Sequence, residues 1–266
     1  VVDEVFVHLS SQTNLPINKI IKELEVMGVT VDLNINVFEM EIPVQREIER
    51  IGNYYTVSFS PKIHSFKQIF FKRVMDIVGA IVGLLITGIV TVFLAPALLI
   101  ESPGPLFFSQ VRVGKNGRRF KIYKFRSMYM DAEERKKELM SQNEMEGLMF
   151  KMENDPRVTK VGKFIRKTSI DELPQFWNIL KGEMSLVGTR PPTEDEFLQY
   201  EGYHRRRLNM TPGLTGLWQV SGRSDTKNFE EIVAMDVEYI DNWSLKEDIK
   251  ILFKTVGVVL KGKGAS

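Results

Sequence analysis

The stretch that decides the fold is IVGAIVGLLITGIVTVFLAPALLI, residues 77–100, which contains no charged side chain. It lies between Asp76 and Glu101 in a chain of 266 residues that is 43% hydrophobic and 26% charged. As a straight helix these 24 residues would reach about 36 Å, against a bilayer hydrocarbon core of about 30 Å. The run therefore predicts a membrane segment, with a simple transmembrane span and a buried core helix as the alternatives.

The charges around this run are distributed unevenly, although the whole chain has a net charge of only +2. Residues 1–61 carry 4 basic and 9 acidic side chains, residues 62–130 carry 11 and 2, and residues 131–266 carry 21 and 23. Basic residues stand on both sides of the run, and the positive-inside rule places both flanks on the cytoplasmic face. We therefore favour a helix that enters the membrane and returns to the same face.

A re-entrant path needs a bend, and two positions in the run are suited to one. Gly88 lies near its middle, and Pro96, which has no backbone N–H to donate, lies further along. We predict a re-entrant membrane helix over residues 66–101, broken near Gly88 or Pro96.

The segments on either side predict an α/β protein with more than one part. Two β-rich stretches with a helical stretch between them indicate a βαβ unit, so residues 1–42 are expected to end an α/β domain of a longer protein. We predict a poorly structured connector over 43–65 and a mixed α/β domain over 102–266. That domain is expected to contain two strands joined at Lys115-Asn116-Gly117, and helices over 172–181, 193–208 and 228–240. The amphipathic C-terminal helix suits either the core or a membrane surface.

The composition narrows the chemistry, because the chain has no cysteine and only three histidines. Disulfides, thiolate zinc sites and cysteine nucleophiles are excluded, which leaves carboxylates, hydroxyls and cations. Asp171 and Glu172 stand out because Pro174 predicts a helix beginning beside them, where backbone N–H groups favour anions, including phosphate. The structural alternative is a capping box, since Ser169 and Glu172 have the S-x-x-E spacing.

Basic side chains close to this pair indicate phosphate binding. Arg166 precedes the pair, and Arg190 lies in the stiff loop Gly188-Thr189-Arg190-Pro191-Pro192. The Gly- and Pro-rich segment 211–223, which ends in Arg223, is a further candidate for a nucleotide or a diphosphate.

The segment RRFKIYKFR, residues 118–126, interleaves basic and aromatic residues and includes Lys124 and Arg126. Nucleic acid is one conceivable partner for such a pattern. Because the segment follows a membrane run, we instead expect it to meet anionic lipid headgroups or a lipid phosphate.

Five motifs in register together resemble the bacterial sugar transferase family, the monotopic phosphoglycosyl transferases that begin the assembly of lipid-linked glycans. The resemblance covers about residues 66–266. The motifs are FKRVMDIVGA (71–80), SPGPLFFSQVRVG (102–114), FKIYKFRSM (120–128), GKFIRKTSIDELPQFWNILKGEMSLVGTRPP (162–192) and PGLTGLWQVSGR (212–223). By the same resemblance, residues 1–42 look like the end of the Rossmann-like domain of long family members.

The resemblance implies transfer of a sugar 1-phosphate from a UDP-sugar to undecaprenyl phosphate with release of UMP, early in exopolysaccharide, capsule or O-antigen synthesis. It implies that Asp171 is the nucleophile of a phosphosugar-enzyme intermediate and that the Asp171-Glu172 pair, chiefly Glu172, binds Mg²⁺. Matching basic positions are Arg166, Arg190 and Lys124, which we assign to phosphate binding. It also implies a bacterial inner membrane location with the catalytic domain on the cytoplasmic face.

Alternatives to this function remain at the level of sequence. One is a glycosyltransferase that releases UDP, and another is a membrane scaffold without catalysis. Galactose and glucose are both reasonable sugars, an N-acetylated sugar less so. Expected partners are the UDP-sugar, undecaprenyl phosphate and membrane lipids but not nucleic acid, with homo-oligomerisation left open.

Overall fold

The computed structural model of the protein describes residues 4–8, 19, 30–34, 45–51, 54–60, 65–132, 134–135, 152, 155–221 and 228–261. The chain divides into two compact units, residues 1–63 and residues 64–266.

The first unit contains two pairs of strands. Strand β1 (Glu4–His8) pairs in parallel with β2 (Thr30–Asn34), as a βαβ unit requires. Apart from Lys19, which is helical, the helix expected between them lies outside the described residues. Strand β3 (Gln45–Ile51) pairs antiparallel with β4 (Tyr54–Ser60). The predicted poorly structured connector was therefore wrong over these residues. The missed signals in the sequence are the segment YYTVSFS, which is rich in aromatic and β-branched residues, and the preceding dipeptide Gly52-Asn53, of residue types that favour turns.

The second unit combines one long helix with short strands and helices. Its elements are α1 (Phe66–Glu101), β5 (Phe107–Val113), β6 (Arg119–Phe125), α2 (Lys160–Lys167), α3 (Gln175–Lys181), β7 (Ser185–Val187), α4 (Glu194–Leu198), β8 (Gly213–Thr215), α5 (Leu217–Val220), α6 (Phe229–Asp241) and α7 (Leu245–Lys261). Strands β5 and β6 form an antiparallel hairpin, and β7 pairs in parallel with β8. The β5–β6 turn is the predicted one, with Asn116 at φ 55° and Gly117 at φ 77°.

Helix α1 packs one side against the other elements of the second unit and exposes its opposite side. Within the described residues it is the one helix long and apolar enough to cross a membrane. It runs without interruption through Gly88 and Pro96, so the structure does not contain the break that was predicted at one of these positions. Its buried residues fall on one stripe, which comprises Lys72, Asp76, Ala80, Gly83, Thr87 and Leu98. Large apolar side chains on the other side are exposed, among them Phe66, Phe70, Val78, Val82, Leu85, Ile89, Val92, Phe93 and Ile100.

Both ends of α1 are bonded to the rest of the second unit. Near its start, Lys72 donates to Asp248 at 2.6 Å, and Arg73 donates to two carbonyls at the C-terminal end of α3. In its middle, Gly83 lies so close to Phe176 that an added Cβ would stand 2.3 Å from the ring. At its end, Glu101 accepts from the first backbone N–H groups of α2, at 2.6 and 2.8 Å. The second unit therefore follows α1 over its whole length.

Two further predictions for this unit concern the helix over 193–208 and the C-terminal helix. The helix expected over 193–208 is α4 followed by a 3₁₀ turn, His204–Asn209. The helix ends at Leu198, and beyond it the Glu201 N–H donates to the ring nitrogen Nδ1 of His204 at 3.2 Å. The C-terminal helix α7 is half core, with Ile251 fully buried and Phe253 76% exposed.

Candidate functional site

Asp171 and Glu172 lie in a 3₁₀ turn, Ile170–Glu172, that precedes α3. The predicted helix thus begins later than expected, at Gln175, after Pro174 as its N-cap. The capping-box alternative is wrong, because Ser169 adopts a left-handed conformation with φ 55° and its side chain makes no cap hydrogen bond. Three residues per turn separate the two carboxylates by about 120°, so they face different surroundings.

The turn is held in place from two sides. Asn178 of α3 donates to the Lys121 carbonyl at 2.7 Å and accepts from the Tyr123 N–H at 3.2 Å, which fixes α3 against β6. From the other side, the Thr87 hydroxyl of α1 donates to the Leu173 carbonyl at 3.2 Å. The pair is therefore supported by regular secondary structure on both sides.

Lys124 of β6 is the cation in direct contact with the pair. Its Nζ lies 2.6 Å from Oε1 of Glu172, and the two side chains are 28% and 33% exposed. Asp171 is more deeply placed, at 7% exposed. The site thus presents one nearly buried carboxylate beside one that is bonded and accessible to solvent.

These surroundings move the two pKa values apart. Burial raises the pKa of Asp171 to about 6, and the Glu172 charge adds to this, whereas Lys124 and Arg166 oppose it. For Glu172 burial also acts upward, but Lys124, Arg190 and Gln175 outweigh it, and the pKa of this carboxyl is lowered. Carboxyl groups with diverging pKa values are typical of catalytic sites, where each has its own task.

The predicted arginines 166 and 190 both act on this pair. Arg166 lies in the last turn of α2, and its charge favours ionised Asp171. Arg190 favours ionised Glu172, and its own backbone carbonyl accepts from Arg207 at 3.5 Å. Arg207 is in turn buried in an ion pair with Asp236 at 2.7 Å. A buried ion pair therefore supports the loop that carries Arg190.

The two Gly- and Pro-rich loops predicted separately are in contact with each other. The Gly188 N–H donates to the Thr215 carbonyl at 2.9 Å, and the Gly213 N–H donates to the Thr189 carbonyl at 2.9 Å. A Cβ on Gly188 would stand 2.4 Å from the Thr211 carbonyl oxygen, so a side chain does not fit there. The candidate Arg223 lies outside the described residues.

Arg126, also predicted to bind phosphate, is placed in a structural role. It is 6% exposed and donates to the carbonyls of Ser102 and Pro103. A side chain on Gly104, at φ 140°, would collide with its guanidinium. Arg126 thus closes the turn between α1 and β5, and its assignment to substrate phosphate stays a prediction.

Sequence reasoning missed two residues near the pair. Arg112 of β5 donates to the Pro191 carbonyl at 3.2 Å, and burial together with Arg190 lowers its pKa to about 10. Gln175, 3% exposed, acts on Glu172 from the first position of α3. In the sequence, the only signal for Arg112 was its place among the basic residues that follow the uncharged run. The only signal for Gln175 was its position directly after Pro174.

The donor set decides whether a divalent cation fits here. Within the described residues, no group of three or more histidine, aspartate or glutamate side chains is placed to hold a metal. Mg²⁺ is commonly held by one or two carboxylates, with substrate phosphate and water completing its six ligands. Asp171 and Glu172 are two carboxylates of the kind that such a site uses.

Known proteins resemble the chain over the same region. The family model of the bacterial sugar transferases matches residues 67–262. The galactosyl transferase CpsE of Streptococcus agalactiae is 51% identical over 266 residues, which is 99% of this chain and 59% of that protein. The undecaprenyl-phosphate galactose phosphotransferase of Salmonella typhimurium is 46% identical over 200 residues, 74% of this chain and 42% of that protein. The exopolysaccharide production protein ExoY of Rhizobium meliloti is 41% identical over 198 residues, 73% of this chain and 87% of that protein.

The matched region contains the candidate active site around Asp171 and Glu172, together with the elements from α1 to α7. The chain therefore belongs to the bacterial sugar transferase family.

Proposed function

We propose that the protein transfers a sugar 1-phosphate from a UDP-sugar to undecaprenyl phosphate and releases UMP. The observation that carries this is the pair itself, a nearly buried Asp171 beside a Glu172 that Lys124 contacts at 2.6 Å. Phosphoryl transfer depends on positioned cations and needs few groups for acid–base catalysis. The cations of this site meet that requirement. The names of the CpsE and Salmonella relatives, a galactosyl transferase and an undecaprenyl-phosphate galactose phosphotransferase, support it.

In the first step, an ionised oxygen of Asp171 attacks the sugar-bearing phosphorus of the UDP-sugar. The bond from that phosphorus to the bridging oxygen breaks, the electron pair stays with UMP, and a phosphosugar-aspartate forms. Arg166 and Arg190 lie close enough to the pair to affect its charges, so they suit the stabilisation of phosphate oxygens in this step.

In the second step, a phosphate oxygen of undecaprenyl phosphate attacks the same phosphorus. The bond to the Asp171 oxygen breaks, and the carboxylate is restored while the undecaprenyl-diphosphate sugar leaves. No net proton transfer is required when the lipid phosphate enters as a dianion. This agrees with a site in which Glu172 is held ionised by Lys124 and Arg190.

Glu172 and Asp171 would hold Mg²⁺ together with the diphosphate. When bound, the ion neutralises phosphate charge and polarises the phosphoryl oxygens. Lys124 donates to Oε1 of Glu172, which leaves Oε2 of Glu172 for the ion.

We propose a re-entrant, cytoplasmic-face placement of α1 in the bacterial inner membrane. Charged groups near both of its ends, Lys72 and Glu101, are bonded to the same folded unit. A straight span would carry part of that unit across the hydrocarbon core, which is costly for its polar groups. The large apolar side chains on its outer side suit contact with lipid. Because α1 is unbroken in the structure, this placement would require it to bend in the membrane, for which Gly88 and Pro96 are the proposed positions.

The sugar is proposed to be galactose, with glucose as the second candidate. Support comes from the galactosyl transferase CpsE, which is 51% identical across nearly the whole chain. For residues 1–42 we propose a Rossmann-like fold, supported by the parallel pairing of β1 with β2.

The decisive experiment incubates the purified protein and undecaprenyl phosphate with UDP-galactose, UDP-glucose or UDP-N-acetylglucosamine, and measures nucleotide release. UMP is expected, most strongly from UDP-galactose, whereas UDP would indicate an ordinary glycosyltransferase. With β-³²P-labelled UDP-galactose, label should reach the protein and be absent from Asp171→Asn. The matched control, Asp195→Asn on the exposed face of α4, should label like the parent. No nucleotide release with any donor would indicate a scaffold.

A further inference from the structure

We propose that Arg112 is a positioning residue for the transfer reaction, which holds the loop of Arg190 and directs the Arg190 side chain towards the paired carboxylates. The inference rests on the proposed function, because it assigns how one phosphate-binding arginine of that site is kept in place.

Strand β5 is bonded to the part of the loop that directly follows Arg190. The Val113 N–H donates to the Pro192 carbonyl at 3.0 Å. Beside it, Nη1 of Arg112 donates to the Pro191 carbonyl at 3.2 Å. Because a proline has no N–H, its carbonyl is the one backbone group through which it can be hydrogen-bonded. The Arg112 side chain therefore makes one of the few bonds that can fix the backbone next to Arg190.

The loop is also held on the side that precedes this contact. The Gly213 N–H donates to the Thr189 carbonyl at 2.9 Å, and Arg207 donates to the Arg190 carbonyl at the longer distance of 3.5 Å. Arg190 thus stands between carbonyls that are bonded on both sides. Loss of the Arg112 contact would free the backbone on one side and with it the direction of the Arg190 side chain.

The charge of Arg112 adds a direction to this support. Burial, together with the nearby charge of Arg190, lowers the pKa of Arg112 to about 10, so each guanidinium lies within the field of the other. Like charges repel, which disfavours conformers of Arg190 that approach Arg112. Arg190 also favours ionised Glu172, so the attraction to this carboxylate and the repulsion from Arg112 act together.

The placement of Arg112 contributes little to the stability of the fold. Its Nε is buried and has no hydrogen-bond partner in the part of the chain that the structure describes. Nη2 donates to Gln110 at 2.9 Å, which keeps the guanidinium in this orientation beside a second cation. A buried donor without a partner and a like charge nearby both cost free energy. Such a local conflict is typical of functional sites.

A double-mutant cycle tests whether Arg112 acts through Arg190, with kcat/KM for the UDP-sugar that releases most UMP as the readout. Arg112→Met should lower kcat/KM roughly tenfold to a hundredfold, as expected when a substrate-binding group is misplaced by about 1 Å. In an Arg190→Met background the same substitution should change kcat/KM by less than about twofold, because the residue that it positions is gone. Arg112→Lys keeps the charge and should recover part of the loss. The matched control is Arg119→Met, an exposed arginine of the same hairpin that pairs with Glu194.

A second measurement does not depend on turnover. Hydrogen–deuterium exchange over residues 186–193, in detergent and without substrate, should be faster in Arg112→Met than in the parent and unchanged in Arg119→Met. The unfolding temperature of Arg112→Met should be unchanged or higher, because an unpaired donor and a like charge are removed. If Arg112→Met does not fold, Arg112→Gln takes its place in the cycle.

The outcomes separate this proposal from the proposed function. A parent protein that releases no nucleotide with any donor overturns the proposed function, whereas faster exchange in Arg112→Met alone upholds the hold of Arg112 on the loop. Losses that multiply in the double variant mean that Arg112 acts independently of Arg190, and they overturn the positioning role. Unchanged exchange over residues 186–193 overturns it as well. A lower unfolding temperature, with a loss of activity that Arg112→Lys does not relieve, indicates a purely structural residue and also overturns it.

Discussion

Lys124 Nζ and Glu172 Oε1 are 2.6 Å apart, which joins strand β6 to the 3₁₀ turn before α3 across 48 residues of sequence. This contact lowers the pKa of Glu172 against the opposing effect of burial. It also brings a cation beside Asp171, whose pKa it moves in the same direction. A single lysine therefore favours the ionised form of both adjacent carboxyl groups.

Replacing Lys124 should impair catalysis far more than folding. Lys124→Met is expected to lower kcat about 100-fold, a loss comparable to removing one donor that stabilises transition-state charge. Lys124→Arg should retain more activity because the charge remains. Initial rates of UMP release from the UDP-sugar give the answer, with the exposed Lys121→Met on the same strand as the control. Equal activity of the Lys121 and Lys124 variants would contradict the role assigned to Lys124.

The rate should depend on the ionisation of Asp171. Burial raises the pKa of this carboxyl to about 6, and only its charged form can attack phosphorus. We expect kcat/KM to fall as the pH is lowered through about 6, and to level off above it. Rates measured from pH 5 to 8 test this, in the range set by that pKa. An acid limb near the ordinary value of 3.8 would show that Asp171 is not the group that titrates.

The same raised pKa predicts that Asp171 destabilises the fold at neutral pH. The folded protein holds this proton up to a pH of about 6, whereas an ordinary aspartate loses it near 3.8, so its unfavourable effect grows as pH rises between these values. Asp171→Asn should therefore stabilise the protein at pH 8, by on the order of 2 kcal/mol, and have little effect near pH 4. Thermal unfolding in detergent at both pH values measures the difference. A gain of equal size at both would point to packing instead of charge.

The buried contact between α1 and α7 should carry much of the stability of the second unit. Asp248→Ala leaves Lys72 buried without its carboxylate, which typically costs about 3–5 kcal/mol. Glu247→Gln, which affects only the more exposed pair with Lys250, should change stability by less than about 1 kcal/mol. Thermal unfolding of both variants in the same detergent compares them. Similar unfolding temperatures would mean that Asp248 does not hold the two helices together.

Local patterns were enough to predict much of the fold and most of the site. The uncharged run predicted α1, and the Asn116-Gly117 turn predicted the β5–β6 hairpin. The matched motifs assigned Asp171, Glu172 and Lys124 to one site, where the structure also has them. These features depend on short-range chemistry or on motifs in fixed order. They are therefore readable without any knowledge of tertiary contacts.

The features that were missed depend on contacts between distant segments. The role of Arg126 follows from carbonyl groups at Ser102 and Pro103, which only the folded chain brings close. Arg112 became a candidate through its proximity to Arg190, far along the sequence. The capping box failed because Ser169 is left-handed and its side chain makes no cap hydrogen bond, which the spacing does not reveal.

Glycines in α1 provide a test of how closely the helix is packed. An added Cβ at Gly83 would stand 2.3 Å from the Phe176 ring, whereas at Gly88 it would meet nothing within 4 Å. Gly83→Ala should therefore push α1 away from α3, destabilise the protein by about 1–3 kcal/mol and disturb the adjoining turn. Gly88→Ala should be neutral or slightly stabilising, since alanine favours helix by up to about 1 kcal/mol. Unfolding temperature and UMP release together distinguish the two variants. If Gly88→Ala instead abolishes activity while the protein stays folded, flexibility at Gly88 is required, and the bend of the re-entrant helix belongs there.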